Sequence, residues 1–114
     1  MSTTYSKLIR DRIPEILTQA GYTYDIATMN EQEYQQALRE KLVEEALEAA
    51  SAAPQHLITE LADLYEVIDA LTTSNGINPD EVHAEQERRH NERGGFAQRI
   101  RLLKTTATDD GSAS

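Results

Sequence analysis

The feature that most constrains this chain is a proline with acids placed evenly on both sides of it. Pro54 separates two long stretches, each with apolar residues at helical spacing. Glu48 lies six residues before it and Glu60 six after; Glu45 lies nine before and Asp63 nine after. Proline ends one helix, because it lacks an amide hydrogen and crowds the residue before it, and it suits the first turn of the next. If the two helices fold back as an antiparallel hairpin, each pair of acids stands at one height, roughly 9 and 13 Å from the turn. Three-residue spacing puts Glu45 with Glu48, and Glu60 with Asp63, on one face of their helices. Four carboxylates then converge on one patch, which is costly unless cations fill it.

Helical phase adds to this reading. On the first helix Tyr34, Leu38, Leu42, Ala46 and Ala49 form the apolar arc; Glu45 falls inside it and Glu48 at its rim. On the second the arc is Leu57, Ile58, Leu61, Leu64, Tyr65, Ile68 and Leu71, with Glu60 inside and Asp63 at the rim. A solvated acidic face would lie opposite the apolar arc, as Glu66 does. Acids that interrupt a packing face mark a candidate site. The competing reading, that Ala- and Glu-rich helices carry Glu at every position, stays open on spacing alone.

Charge is divided along the chain. Its 114 residues carry a net charge of −9, which argues against a general nucleic-acid binder. No Lys or Arg occurs between Lys41 and Arg88. Lys7, Arg10 and Arg12 lie near the start, and Arg88, Arg89, Arg93, Arg99, Arg101 and Lys104 near the end. An acidic centre with basic flanks suits a metal plus an anionic ligand; ordinary surface charge is the plainer alternative. Without cysteine there is no disulfide framework and no thiolate metal site. No apolar run approaches the ~20 residues of a membrane helix, and no signal peptide is evident, so a cytoplasmic protein is expected.

The remaining elements follow from local signals. Pro14 and Glu15 open a short helix over 14–20, and Gly21 stops it. Residues 22–28 alternate and predict a short extended stretch, with Ile100 to Leu103 as its candidate partner. Asn30 with Glu33 forms a capping arrangement for a helix over 31–52. The next helix runs over 54–73 and stops near Asn75 and Gly76. Asn78-Pro79-Asp80-Glu81 starts a polar helix over 79–92. Gly94 and Gly95 then allow a C-cap and turn, or the close approach of a ligand. Residues 1–104 are expected to form a single domain, and residues 105–114 a disordered tail.

All-oxygen ligands on helices suit hard cations, Mg²⁺ or Mn²⁺, which share phosphate oxygens with a substrate. His56, His83 and His90 form no metal pair and read as surface residues. Glu44-Glu45-x-x-Glu48 followed by Glu60-x-x-Asp63 resembles the metal signature of the MazG-like nucleotide pyrophosphohydrolases. That family lies in the all-α NTP pyrophosphatase superfamily, with phosphoribosyl-ATP pyrophosphohydrolase and dimeric dUTPases as relatives. Lys7-Leu8-Ile9-Arg10-Asp11-Arg12-Ile13-Pro14-Glu15 is similar to the opening KLVRDKIPE of one small-protein branch, and Arg93-Gly94-Gly95-Phe96 matches its closing RGGF.

The resemblance implies an all-α fold, an antiparallel helical hairpin that becomes a four-helix bundle on dimerisation. It also implies Mg²⁺-dependent hydrolysis of a nucleoside triphosphate to monophosphate and pyrophosphate, as house-cleaning or control of nucleotide pools. Glu45, Glu48, Glu60 and Asp63 would be the metal ligands, with Glu44 and Glu45 the catalytic acids; Glu44, off the apolar arc, is the weaker candidate, either supporting the ligands from behind or acting as a helper base. Lys7, Arg10, Arg89 and Arg93 would bind the phosphates or base; Arg12 and Lys41 are weaker candidates, and Asp11 would orient the arginines beside it. The expected assembly is a homodimer, with a further pairing to a tetramer open. A non-catalytic helical nucleotide-binding or scaffold dimer and phosphoribosyl-ATP hydrolysis are the alternatives.

Overall fold

A computed structural model describes residues 6–109. Its helices are α1 (Ile13–Gln19), α2 (Glu31–Ser51), α3 (Leu57–Ser74) and α4 (Pro79–Arg93), with a single 3₁₀ turn at Pro54–His56 before α3. No strand forms among the described residues, so the fold is all-α. The extended stretch expected over 22–28 therefore pairs with nothing: its alternating residues Tyr22, Tyr24 and Ile26 are exposed, and without a face to bury, alternation confers no ladder. No described helix is long and apolar enough to cross a membrane. Residues 110–114 of the expected tail lie outside the described residues; 105–109 are exposed and form no helix. The chain divides into two compact units, one ending at Pro79 and the other beginning at Asp80.

In the first unit each helix end has its own chemistry. Pro14 sits in the first turn of α1. At its other end Gly21 (φ 89°) donates to the Thr18 carbonyl at 3.1 Å, and Tyr22 to Leu17 at 2.9 Å. That pair of bonds is a Schellman stop, and its left-handed residue is the reason for glycine. Asn30 and Glu33 form the expected reciprocal cap: Glu33 N–H donates to Asn30 Oδ1 at 2.9 Å, and Asn30 N–H to Glu33 Oε1 at 3.1 Å. A second Schellman stop ends α3, with Gly76 (φ 66°) donating to Thr73 and Ile77 to Thr72. The turn differs from expectation. Pro54 opens a tight 3₁₀ turn, with His56 N–H donating to the Ala53 carbonyl at 2.9 Å, and the α-helix proper begins at Leu57.

The helices α2 and α3 form the hairpin. Near its open end Gln35 Nε2 donates to the Ser74 carbonyl at 3.2 Å, while Asn75 Nδ2 donates back to Gln35 Oε1 at 3.0 Å. These bonds join the start of α2 to the end of α3, which makes the hairpin antiparallel. Leu38, 2% exposed, and Val67 are the buried apolar residues, with Tyr34, Leu42, Ala49, Leu64, Ile68 and Leu71 half-buried around them. The facing stripes are 38–42–45–49 on α2 and 60–64–67–71 on α3, alternating steps of four and three. Ile58 (84% exposed) and Tyr65 (63%) lie off the α3 stripe, and Ala46 off that of α2, so none of the three packs between the two helices of the hairpin. Val67 takes the central place instead.

In the second unit, α4 begins with Asp80 and Glu81 in its first turn and buries no residue. Gly94 (φ 79°) closes it, its N–H donating to the His90 carbonyl at 2.7 Å. A Cβ on Gly95 would stand 3.1 Å from His90 Cε1, so the second glycine gives that ring room.

Candidate metal centre

Two acids occupy stripe positions where a leucine would otherwise sit. Glu45 takes the third place on the α2 stripe and is only 8% exposed. Glu60 takes the first place on the α3 stripe and is half-buried, and Asp63 follows one turn on, also half-buried. Antiparallel packing brings their carboxylates together: one oxygen from each lies within 4.8 Å of the other two. Glu45 Oε2 and Glu60 Oε2 are buried and accept no hydrogen bond. A buried carboxylate oxygen left unpaired is costly, and helix packing alone gives no return for it.

Electrostatics follow from this crowding. Burial raises the Glu45 pKa above the ordinary 4.5, and Glu48, Asp63 and Glu44 raise it further, against the lowering effect of Lys41. Desolvation likewise raises Glu60, helped first by the charge of Glu48 and by a hydrogen bond shared with it. Glu45 and Glu60 are thus harder to ionise in this site than in water, the state that a divalent cation would reverse.

Three of the four acids expected as ligands thus converge, and Glu48 stands exposed at the rim beside Glu60. Glu44 is exposed on α2 and accepts from Lys41 Nζ at 3.3 Å, while the same ammonium lies 3.8 Å from Glu45 Oε1. Arg10 reaches the site: its Nη2 donates to Asp63 Oδ1 at 2.7 Å. Arg12 pairs with Glu15 at 3.1 Å, so the partners of the two arginines are Asp63 and Glu15 rather than Asp11. Lys7 is exposed in the segment before α1. Arg89 and Arg93 are exposed on α4, in the second unit.

Sequence reasoning undervalued Lys41, although its spacing of three and four residues from Glu44 and Glu45 announces both contacts. It missed the Arg10–Asp63 pair, which spans 53 positions and leaves no local signal. An all-carboxylate donor set with two unpaired buried oxygens fits a hard divalent cation, which Glu45, Glu60 and Asp63 could hold.

The sequence model of the phosphoribosyl-ATP pyrophosphohydrolase family matches residues 3–90. The chain belongs to that family. Its place is therefore within the MazG-like all-α NTP pyrophosphatase superfamily, and membership supports a pyrophosphohydrolase activity on nucleotides. The matched range contains α1 to α3 with every acid of the site, and it ends before Arg93-Gly94-Gly95-Phe96. Neither curated proteins nor solved structures gave a match.

Proposed function

We propose that the protein hydrolyses a nucleoside triphosphate to its monophosphate and pyrophosphate, with Mg²⁺ or Mn²⁺ held by Glu45, Glu60 and Asp63 and with Glu48 at the rim. The observation that carries this reading is the pair of unpaired, buried oxygens on Glu45 and Glu60, two acids whose carboxylates converge with that of Asp63 within the hairpin. A cation bound there supplies neutralising charge for the phosphates and lowers the pKa of water. Glu44 stands outside the triad and serves as the base that takes the proton of the attacking water. A P–O bond forms to that water as the P–O bond to the pyrophosphate leaving group breaks. Lys7, Arg10, Arg89 and Arg93 bind the phosphates or the base by charge-assisted hydrogen bonds.

The family match favours a second substrate for the same chemistry, phosphoribosyl-ATP. One experiment tests both: pyrophosphate release from a panel of nucleoside triphosphates and phosphoribosyl-ATP, with Mg²⁺, with Mn²⁺ and with chelator. Release from one class, abolished by chelator, is expected. No release from any member would leave a non-catalytic nucleotide-binding or scaffold protein.

We also infer a homodimer that completes a four-helix bundle. Its support is the apolar surface left on the hairpin: Val43 and Leu47 on α2, and Leu57, Ile58, Leu61 and Tyr65 on α3. Light scattering at micromolar concentration is expected to give twice the chain mass or a multiple of it. A stable monomer would end this reading.

A further inference from the structure

Asp63 belongs to two arrangements. It is one corner of the acidic triad, and its Oδ1 also accepts from Arg10 Nη2 at 2.7 Å. The two cations on the triad are not equivalent. Lys41 is tied to Glu45 through one helix, four residues away, so its position follows from α2 itself. Arg10 comes from the non-helical segment before α1, and its guanidinium is exposed. Half-buried Leu8 and Ile9 anchor that segment, leaving the Arg10 side chain as the part able to change partners.

A divalent cation among Glu45, Glu60 and Asp63 would repel a guanidinium on the same carboxylate and compete with it for that charge. A nucleotide offers Arg10 something better than one carboxylate oxygen, namely phosphates that take a planar guanidinium in two parallel hydrogen bonds. We propose that Arg10 is a resident cation on Asp63 that gives way to the metal and passes to the nucleotide phosphates, so that metal and nucleotide bind cooperatively. This inference rests on the reading of the acidic triad as a metal site. Without nucleotide, the pair neutralises part of the acidic patch and holds metal affinity down. With nucleotide bound, Arg10 is drawn off and the full charge of the triad faces the metal, and by linkage each ligand then strengthens the other.

The test uses Mn²⁺ alone, its binding followed by the loss of the free-ion electron paramagnetic resonance signal. Arg10→Ala is expected to bind Mn²⁺ about two- to fivefold tighter than wild type, the range set by losing a solvent-exposed pair. Arg12→Ala removes the same charge from the Glu15 pair and is expected to leave Mn²⁺ affinity unchanged. Wild-type or weaker affinity in Arg10→Ala would overturn the proposal, since Arg10 would then be holding Asp63 in place. So would an equal gain in Arg12→Ala, which would reduce the effect to overall charge. In the wild type, guanidinium NMR signals, assigned to Arg10 by their absence from Arg10→Lys, are expected to lose their restricted rotation as Mg²⁺ saturates. Unmoved signals would also overturn it. Failure of the metal reading looks different: wild type would bind no Mn²⁺ and would be indistinguishable from Glu45→Gln, which removes a ligand.

Discussion

Glutamates three or four residues apart occur on the hairpin and on α4, and the two settings put them in opposite states. On α4, Arg88 donates to Glu85 and, at 2.8 Å, to Glu92, all three in solvent. The hydrogen bond from Arg88 lowers the Glu85 pKa. On the hairpin, Glu45 and Glu60 lie on packing stripes, keep unpaired buried oxygens and have raised pKa values. Spacing does not distinguish the two sets. What separates them is whether the helix face carrying the acids meets another helix. A solvated face recruits a nearby arginine, whereas a packed face concentrates like charge from two helices.

The strongest way to break the comparison is to neutralise one hairpin acid. Glu45→Gln and Glu60→Gln are each expected to lower pyrophosphate release by about a hundredfold or more, beyond the usual loss on disturbing a metal site's supporting groups. The same variants are expected to melt higher than wild type without metal, because one member of a repelling cluster is gone. Pyrophosphate assays check the first part, and melting curves with and without Mg²⁺ the second. A wild type that gains no stability from Mg²⁺, even with a nucleotide present, would make the cluster structural.

A pH series sharpens the contrast with a smaller effect. Because Glu45 and Glu60 are raised above 4.5, the folded metal-free protein binds more protons than the unfolded chain in the range just above that value. Their contribution to stability therefore falls as pH rises through the window between 4.5 and the raised values. Metal needs the ionised ligands, so the stabilisation that Mg²⁺ confers is expected to grow across the same window. Glu85 contributes the other way: its lowered pKa makes its part of stability present above 4.5 and lost as pH falls below it. Urea unfolding at fixed pH steps, in wild type, Glu45→Gln and Glu85→Gln, separates the contributions.

The smallest effect is expected on α4. Arg88→Ala breaks two exposed ion pairs, and exposed pairs contribute little. Its melting temperature is expected to match wild type, with or without Mg²⁺. A clear destabilisation would show that α4 depends on those pairs more than its exposure allows.

Much of the hairpin was legible because its signals are local. Asn30 with Glu33, Gly21, Gly76 and Pro54 each act on the adjacent turn of backbone. Equal distances from Pro54 gave the antiparallel hairpin and set Glu45 level with Asp63, two members of the triad; that Glu60 rather than Glu48 completes it was not in the spacing. Phase gave less. A wide apolar arc on α3 included Ile58 and Tyr65, because an arc read from one helix does not reveal which narrow stripe its neighbour covers. The 3₁₀ turn at Pro54–His56 escaped for a related reason: proline announces a break but not how tightly the next turn winds. Arg10 was legible as a cation for the site, but its partner in the free protein was a tertiary matter that no spacing encodes.

The clasp between Gln35 and Ser74–Asn75 has a consequence for how the length of such a chain can vary. Together with the turn at Pro54 it pins the hairpin at both ends, with the acids between the pins. One residue inserted between Gln35 and Glu45 would rotate Glu45 by about 100° and shift it by about 1.5 Å relative to the clasp. That would turn a buried acid toward solvent and bring its neighbour into the stripe. Insertions and deletions therefore leave the register of the acids intact only outside the pinned stretch, in the loop before Asn30 or beyond Gly76. Within it, the tolerated change is about seven residues added to both helices together, two turns that return every side chain to its own face.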